Sequence, residues 1–439
     1  MQRIKPNPKP PINIESLGNN DNNNPAMIQG AVHKVRNLGS FSFILIRTPR
    51  DVVQCVWDHE ALGEPECKEG DHVELTGNVI KDERSRLGFE IHATALNIAS
   101  KAADITPVTI NKGKVKLHMD NHLKYRPAVL RNPLQRAIFK IQEGLCRGFR
   151  EYLTSQDFTE IHSPKISAAG AEGGANIFKL DYFDRTAFLA QSPQFYKQAM
   201  VPIFGRVFEV GPVFRAEKHD TSRHLNEYTS CDFEMGFIQG FEDIMTMECA
   251  MLTYAFSLLK DEYAKELKLL NVTLPETESI PAIPFYEAKE LISKKYNRPI
   301  KSYKDLDPEE ERLLGRWAKE EHGTPLVFVT HYPSTTRPFY TMDDPENPEV
   351  TLSFDLLLNG LEITTGGQRV HDYDQLIAKM ERLGMDPEEF ESYLMTHKYG
   401  TPPHGGLGLG LERLTMQLIG LDNIRYSTLF PRDINHIEP

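Results

Sequence analysis

The sequence predicts an α+β fold in two parts, a small N-terminal β-barrel and a larger antiparallel sheet flanked by helices. Three observations predict it. Short β-prone runs punctuated by glycine fill the stretch from Met27 to Asn97. At Leu134 the apolar period switches to three- and four-residue steps. Beyond that point strand-like runs follow one another without regular β-α alternation, which is the pattern of an antiparallel sheet.

Taken in order, residues 1–25 are rich in Pro and Asn and read as a disordered arm. Residues 26–100 hold candidate strands at 31–32, 41–46, 52–56, 72–76 and 89–91, separated by Gly39, Gly70, Gly77 and Gly88. Five short strands in this space suit an OB-fold barrel. Residues 101–133 form a basic linker. Leu134, Ile138, Ile141, Leu145, Phe149 and Leu153 then mark a helix running to about Thr154. It opens a domain spanning 134–439. Strands are expected at 158–161, 187–189, 206–210 and 233–238, with a long helix at 241–265. Residues 266–323, charged and interrupted by proline, read as a helical insertion. Strands resume at 326–329, 350–358 and 362–364. Residues 373–396 read as helices, and a last helix starts near Leu411.

Of 439 residues, 40% are hydrophobic and 26% charged, as in globular chains. No apolar run of about 20 residues is present, so no membrane span is expected. Met1-Gln2-Arg3-Ile4-Lys5-Pro6 has no apolar stretch behind it, which argues against a secretory signal. The cysteines Cys55, Cys67, Cys146, Cys231 and Cys249 are odd in number and lack metal-ligand spacing. A reduced, cytoplasmic protein is expected rather than a disulfide scaffold. The net charge of −12 argues against a whole-surface nucleic-acid binder. Residues 1–50 nevertheless carry +5 and residues 111–150 carry +8, leaving −25 elsewhere. Local RNA contact is therefore compatible with the acidic total.

Three segments carry chemistry. In the first, Phe214-Arg215-Ala216-Glu217 leads into a polar loop and then Arg223-His224-Leu225. Guanidinium groups offer paired donors to phosphate oxygens and stack on bases, so a strand-loop-strand with both arginines suits a nucleotide triphosphate. The plain alternative is a salt-bridged surface hairpin. In the second, Gly405, Gly406, Gly408 and Gly410 precede Leu411-Glu412-Arg413, where backbone can approach a ligand and Arg413 opens a helix. This is neither the dinucleotide G-x-G-x-x-G nor a Walker loop. In the third, Asp355 and Glu362 on adjacent strands can hold Mg²⁺ against phosphates, and Arg369 follows Gly366-Gly367 to meet an anion. A hairpin with incidental charges is the alternative.

Together these segments resemble a class II aminoacyl-tRNA synthetase, and within that class an aspartyl-tRNA synthetase of archaeal type. The resemblance runs from Met27 to Pro439. The first family motif corresponds to 138–166, ending in Glu160-Ile161-His162-Ser163-Pro164-Lys165. The second corresponds to Phe214–Glu217 with Arg223-His224-Leu225, and the third to 408–414. The resemblance implies a six-stranded antiparallel catalytic sheet behind an OB-fold, and a homodimer built on the helix from Leu134 and on Pro164. An ordinary core helix is the simple alternative for that segment.

The implied activity is attachment of L-aspartate to the aspartate tRNA through an aspartyl-adenylate, with the asparagine tRNA as a second acceptor. Gln191-Ser192-Pro193-Gln194-Phe195-Tyr196-Lys197 resembles the amino-acid pocket. Lys197 and Arg369 would meet a side-chain carboxylate, with Gln194 beside them. Asp232 and Glu172 would meet the ammonium, Glu172 from a glycine-hinged loop. Arg215 would hold the α-phosphate and Arg413 the γ-phosphate. Glu217 would take the adenine amino group, and Ala216, Arg223, His224, Leu225, Gly410, Leu411 and Glu412 complete the ATP site. Asp355, Glu362 and Thr365 would bind Mg²⁺; serine is frequent at the Thr365 position, and threonine keeps the hydroxyl.

The resemblance assigns anticodon reading to the barrel. Phe43 would stack on a base, with Gln54 and Glu90 at base edges and Arg47 at a base or phosphate. Phe43 in the barrel core is the alternative. His33 stands where many archaeal relatives have Trp, and Arg86 lies in a loop near the third anticodon base. Neither looks built to reject one base, which favours use of both tRNAs. The competing readings are an asparaginyl-tRNA synthetase, an asparagine synthetase on the same fold, and a catalytically silent RNA-binding paralogue. Lys197, the barrel and the intact arginines respectively argue against them.

Overall fold

The computed structural model describes Ile14, Leu17 and residues 23–168 and 177–438. The chain divides into two compact units, Met1–Pro133 and Leu134–Pro439.

In the first unit β1 (Asn24–Asn37), β2 (Phe41–Arg47), β3 (Val52–Asp58), β4 (His72–Lys81) and β5 (Phe89–Ser100) close into a barrel of order β1-β2-β3-β5-β4. Strict alternation drives it. Ser42, Ile44 and Ile46 on β2, and Val53, Cys55 and Trp57 on β3, point inward, while Phe41, Phe43, Leu45 and Arg47 face outward. Phe43 is therefore not core. Ile28, Val32, Val73, Leu75, Val79, Phe89 and Ile91 complete the interior.

The expectation of a wholly disordered 1–25 needs correcting. Ile14 is 4% exposed and Leu17 half-buried, both against the barrel core, and β1 already begins at Asn24. The Pro and Asn content masked two apolar residues three apart. The rest of that arm lies outside the described residues, apart from Asn23. The connector is also more structured than a linker. The Asn132 amide donates to the carbonyls of Ile110, Lys112 and Gly113, at 2.9, 2.9 and 3.0 Å.

In the second unit the helix Pro133–Ser155 buries Ile141, Leu145, Phe149 and Leu153 in its own unit's core. It packs tightly on the helix Glu242–Glu262, since a Cβ at Gly148 would lie 2.6 Å from Ala255 Cα. Its apolar face is a core face.

Behind it lies the main sheet. In chain order its strands are β6 (Thr159–Glu160), β10 (Arg206–Phe214), β11 (Glu227–Gly236), β12 (Ala282–Pro284), β13 (Leu326–Thr330), β14 (Ser353–Leu358), β15 (Leu361–Gln368) and β16 (His404–Gly410). A separate small sheet holds β7 (Ile166–Ser167), β8 (Lys179–Tyr182) and β9 (Arg185–Leu189). The main order is β12-β13-β14-β15-β16-β11-β10-β6. The six central strands are antiparallel, as expected, but β12 and β6 add a parallel strand at each edge. Two or three residues are too short to show a strand period.

The insertion is likewise more than helical. It carries β12 between the helices Ala264–Leu270 and Phe285–Tyr296. With the helix Pro308–His322 it forms a core around Phe285, Ile292 and Leu314 that reaches Val327 and Leu357 of the sheet.

Candidate active site

β11 and β16 pair with Asp232 opposite Gly408 and Glu234 opposite Gly406. Asp232 and Glu234 are two apart on one strand, so both side chains rise from the same face. Gly406 makes room for them: a Cβ there would lie 2.0 Å from Phe233 O and 2.3 Å from Glu234 Oε2. The glycine run thus serves close strand and side-chain packing as well as ligand access.

Two cations meet this acidic pair. Lys197, on the helix Gln194–Phe204, places Nζ 3.0 Å from Asp232 Oδ1 and 3.3 Å from Glu234 Oε2 and donates to Leu407 O at 2.8 Å. Arg369, just past β15, donates from Nε to Glu234 Oε1 at 2.9 Å. Its Nη2 donates to Gly406 O at 2.9 Å and to Gln194 Oε1 at 3.4 Å. All four charged groups are buried. Burial works to raise the Glu234 pKa, but Arg369 and Lys197 outweigh it and hold the carboxyl below its ordinary value. Asp232 also accepts from the Ser230 hydroxyl.

A cavity of about 330 Å³ opens above this floor. Gln194, Lys197, Arg215, Glu217, Arg223, His224, Leu225, Asp232, Glu362, Thr365, Arg369, Gly410, Glu412 and Arg413 all line it. Arg215 follows β10, its guanidinium 5.9 Å from the Tyr228 ring. Arg413 donates to Glu362 O at 3.0 Å and stands 3.3 Å from its carboxylate, which also accepts from the Thr365 hydroxyl at 3.0 Å. Burial, and then the Arg413 charge, keep the His224 imidazole below its ordinary pKa. The Glu412 carboxylate points back into the protein and accepts the Thr229 N–H at 3.0 Å, with burial pushing it up to about 7. Ala216 and Leu411 are not among the lining residues, and Glu172 lies outside the described residues.

Asp355 sits opposite Thr365 across β14 and β15. It does not line the cavity; its Oδ2 accepts from Arg337 at 2.7 Å. Among the described residues its Oδ1 has no hydrogen-bond partner. With Glu362 and the Thr365 hydroxyl this is a set of hard oxygen donors, which fits Mg²⁺. Among the described residues no group of three His, Cys, Asp or Glu could hold a metal ion.

Three contributors escaped the sequence reading. Arg337 lines the cavity from a loop with no period. Glu311, on the insertion helix, accepts from Arg223 Nη1 at 2.7 Å, and burial pushes its carboxyl up to about 7. Glu234 had a legible signal, an acid two residues from Asp232 on a strand.

Residues 118–434 match the family described as tRNA synthetases class II (D, K and N). The chain belongs to this family. It is 46% identical to the aspartate–tRNA(Asp/Asn) ligase of Thermus thermophilus, over 93% of this chain and 96% of that one. It is 41% identical to the aspartate–tRNA(Asp) ligase of Pyrococcus abyssi, over 94% and 95%. Among solved structures, the synthetase superposes on the asparaginyl-tRNA synthetase of Pyrococcus horikoshii complexed with asparaginyl-adenylate with a TM-score of 0.88. That pair is 31% identical over 95% of this chain and 96% of the other. The aspartyl-tRNA synthetase of Entamoeba histolytica gives 0.86 at 31% identity, over 98% and 92%.

The barrel of this synthetase holds the residues expected to read RNA in separate small contacts. Phe43 packs edge-on against Phe41 with ring centroids 5.3 Å apart, both on the outer face. Across the same face the Gln54 amide donates to Glu90 Oε2 at 3.2 Å. His33 falls at a β-bulge between Val32 and Lys34 and is buried, only 8% exposed, rather than presented on the RNA-facing surface as expected. Arg47 Nη1 lies 3.3 Å from its Nδ1. Arg86 is largely exposed in the β4–β5 loop, 3.7 Å from Asp51.

Proposed function

We propose that this synthetase attaches L-aspartate to tRNA through an aspartyl-adenylate. The observation that carries the reading is the buried cation pair, Lys197 and Arg369, on the floor of an arginine-lined cavity. A dicarboxylate substrate supplies one carboxylate for that pair and one for reaction. Asp232 and Glu234 already balance the pair, so asparagine, whose ammonium would also turn to Asp232, would bring positive charge to the floor with no side-chain carboxylate to offset it, which disfavours the asparaginyl reading.

Aspartate enters side chain first, its β-carboxylate received by Lys197 and Arg369 with Gln194 alongside, and its ammonium by Asp232. The α-carboxylate then attacks the α-phosphorus of ATP in line, forming aspartyl-adenylate and releasing pyrophosphate. Arg215 holds the α-phosphate and stabilises the charge that develops there. Arg413 and Arg223 take the distal phosphates, and Glu217 accepts from the adenine amino group. Asp355, Glu362 and Thr365 would hold Mg²⁺, which when bound would supply neutralisation of phosphate charge. The terminal ribose hydroxyl of tRNA attacks the adenylate carbonyl and AMP leaves. No protein nucleophile is needed.

The outer barrel face, with Phe43, Arg47, Gln54, Glu90 and Arg86, receives the unpaired anticodon bases, and the buried His33 supports Arg47 from behind. We further read the chain as a homodimer acting in the cytoplasm. Among the described residues no helix is long and apolar enough to cross a membrane. Light scattering at micromolar concentration tests the dimer, and a fully active monomer contradicts it. The ligase reading is tested by transfer of labelled aspartate to purified aspartate tRNA with ATP and Mg²⁺. Transfer dependent on all three supports it; its absence in a folded protein overturns it.

A further inference from the structure

We propose that Arg337 is a positioning residue that ties divalent-cation entry to nucleotide entry. By pairing with Asp355 it keeps the metal out of the acidic corner until phosphate oxygens arrive. The inference rests on the reading of Asp355, Glu362 and Thr365 as the metal's protein donors.

Arg337 is held from two sides. Its guanidinium carbon lies 3.8 Å from the centre of the Tyr332 ring, and its Nη2 lies 2.7 Å from Asp355 Oδ2. Its side chain is only 12% exposed and Tyr332 is buried beneath it. Asp355 is buried too, its Oδ2 paired with Arg337 and its Oδ1 buried without a hydrogen-bond partner among the described residues. Across the neighbouring strand Glu362 is paired with Arg413 at 3.3 Å. Each candidate acidic ligand therefore has its own guanidinium, and these four groups sum to zero charge.

A cation entering alone gains little here. It meets two fixed positive groups in a poorly solvated corner, where charge repulsion is weakly screened. Two carboxylates already engaged and one hydroxyl fall short of the six oxygens that Mg²⁺ demands. A triphosphate changes both terms, because it brings several negative charges and the missing oxygens together. Arg413 and Arg337 then face phosphate or carboxylate, and Asp355 Oδ1, which has no hydrogen-bond partner among the described residues, is left for the metal.

The test uses Mn²⁺ as probe on the full chain, with free Mn²⁺ read by electron paramagnetic resonance, with and without ATP and with no aspartate present. Wild type should bind Mn²⁺ about tenfold or more tightly with ATP than without, within the usual range of site coupling. Arg337→Met keeps an apolar stem over Tyr332 and removes the charge. It should tighten nucleotide-free Mn²⁺ binding by about tenfold and shrink the ATP effect by the same factor. Arg337→Lys, which keeps the charge, should behave as wild type. Unchanged or weaker nucleotide-free binding in folded Arg337→Met overturns the proposal, including the case in which only ATP affinity falls.

If Arg337→Met fails to fold, Asp355→Asn decides. It should leave nucleotide-free Mn²⁺ binding as in wild type and weaken binding with ATP. A loss without ATP would mean that Asp355 is already available, contrary to the proposal. Because no aspartate is used, failure here with successful aminoacylation sinks only this inference and not the ligase reading.

Discussion

Lys197 Nζ lies 3.0 Å from Asp232 Oδ1, a cation and an anion closed together at the floor of the cavity. The pair keeps a buried charge solvated by protein before any substrate arrives. Glu234 extends it to Arg369, so the whole recognition floor is a preassembled buried network. A substrate aspartate inserts its own carboxylate and ammonium into this network rather than creating charge in an empty pocket.

Glu234 should therefore be as important to the fold as to the substrate. Glu234→Gln leaves two buried cations without their shared anion, a loss of about 3–5 kcal/mol. Urea unfolding of the variant should show a midpoint well below that of wild type. Coincident midpoints would mean that the network is not what holds Lys197 and Arg369 in place.

A second buried acid gives a pH signature. Glu248, on the helix Glu242–Glu262, is 0% exposed, close to the Thr364 hydroxyl and with no cation paired to it among the described residues. Burial pushes its pKa up to about 8. The folded state keeps this proton where the unfolded chain, titrating near 4.5, releases it. Stability is therefore lost as pH rises from about 4.5 to 8. Glu248→Gln removes that loss. The melting temperature of wild type relative to the variant should fall between pH 5.5 and 8; a difference constant with pH would contradict the assignment.

The bulged His33 bears on tRNA choice. Arginine can only donate, so His33 Nδ1 accepts from Arg47 and the neutral ring carries its proton on Nε2. His33 is itself buried and so holds Arg47, whose donor-only guanidinium can meet the carbonyl oxygen that C and U, the third bases of the aspartate and asparagine anticodons, both offer. We expect both tRNAs to be charged with aspartate. A preference of a thousandfold or more in kcat/KM for the aspartate tRNA, about 4 kcal/mol, would contradict this.

Much of the fold was legible because it is periodic. Alternation in β2 and β3 and the apolar steps from Leu134 gave the barrel and the first helix. The edge strands β6 and β12 were not legible, because so few residues carry no period. In the site, the residues of the three motifs were readable and most of them line one cavity. Arg337 and Glu311 were not readable. Each acts through a partner far away in the chain, Asp355 and Arg223, and ordinary ion-pair chemistry leaves no local pattern. The direction of the Glu412 side chain was hidden for the same reason, since the Thr229 N–H that donates to it lies on β11, far away in the chain.

The central claim is that Lys197 and Arg369 select a carboxylate side chain. Its most direct test is ATP–pyrophosphate exchange with aspartate and asparagine side by side, in wild type and in Lys197→Ala. Wild type should prefer aspartate by about a thousandfold in kcat/KM, and the variant should lose about 3–5 kcal/mol of aspartate activation by breaking a buried pair on one side. Equal or better exchange with asparagine, or unchanged aspartate use in the variant, would contradict the account.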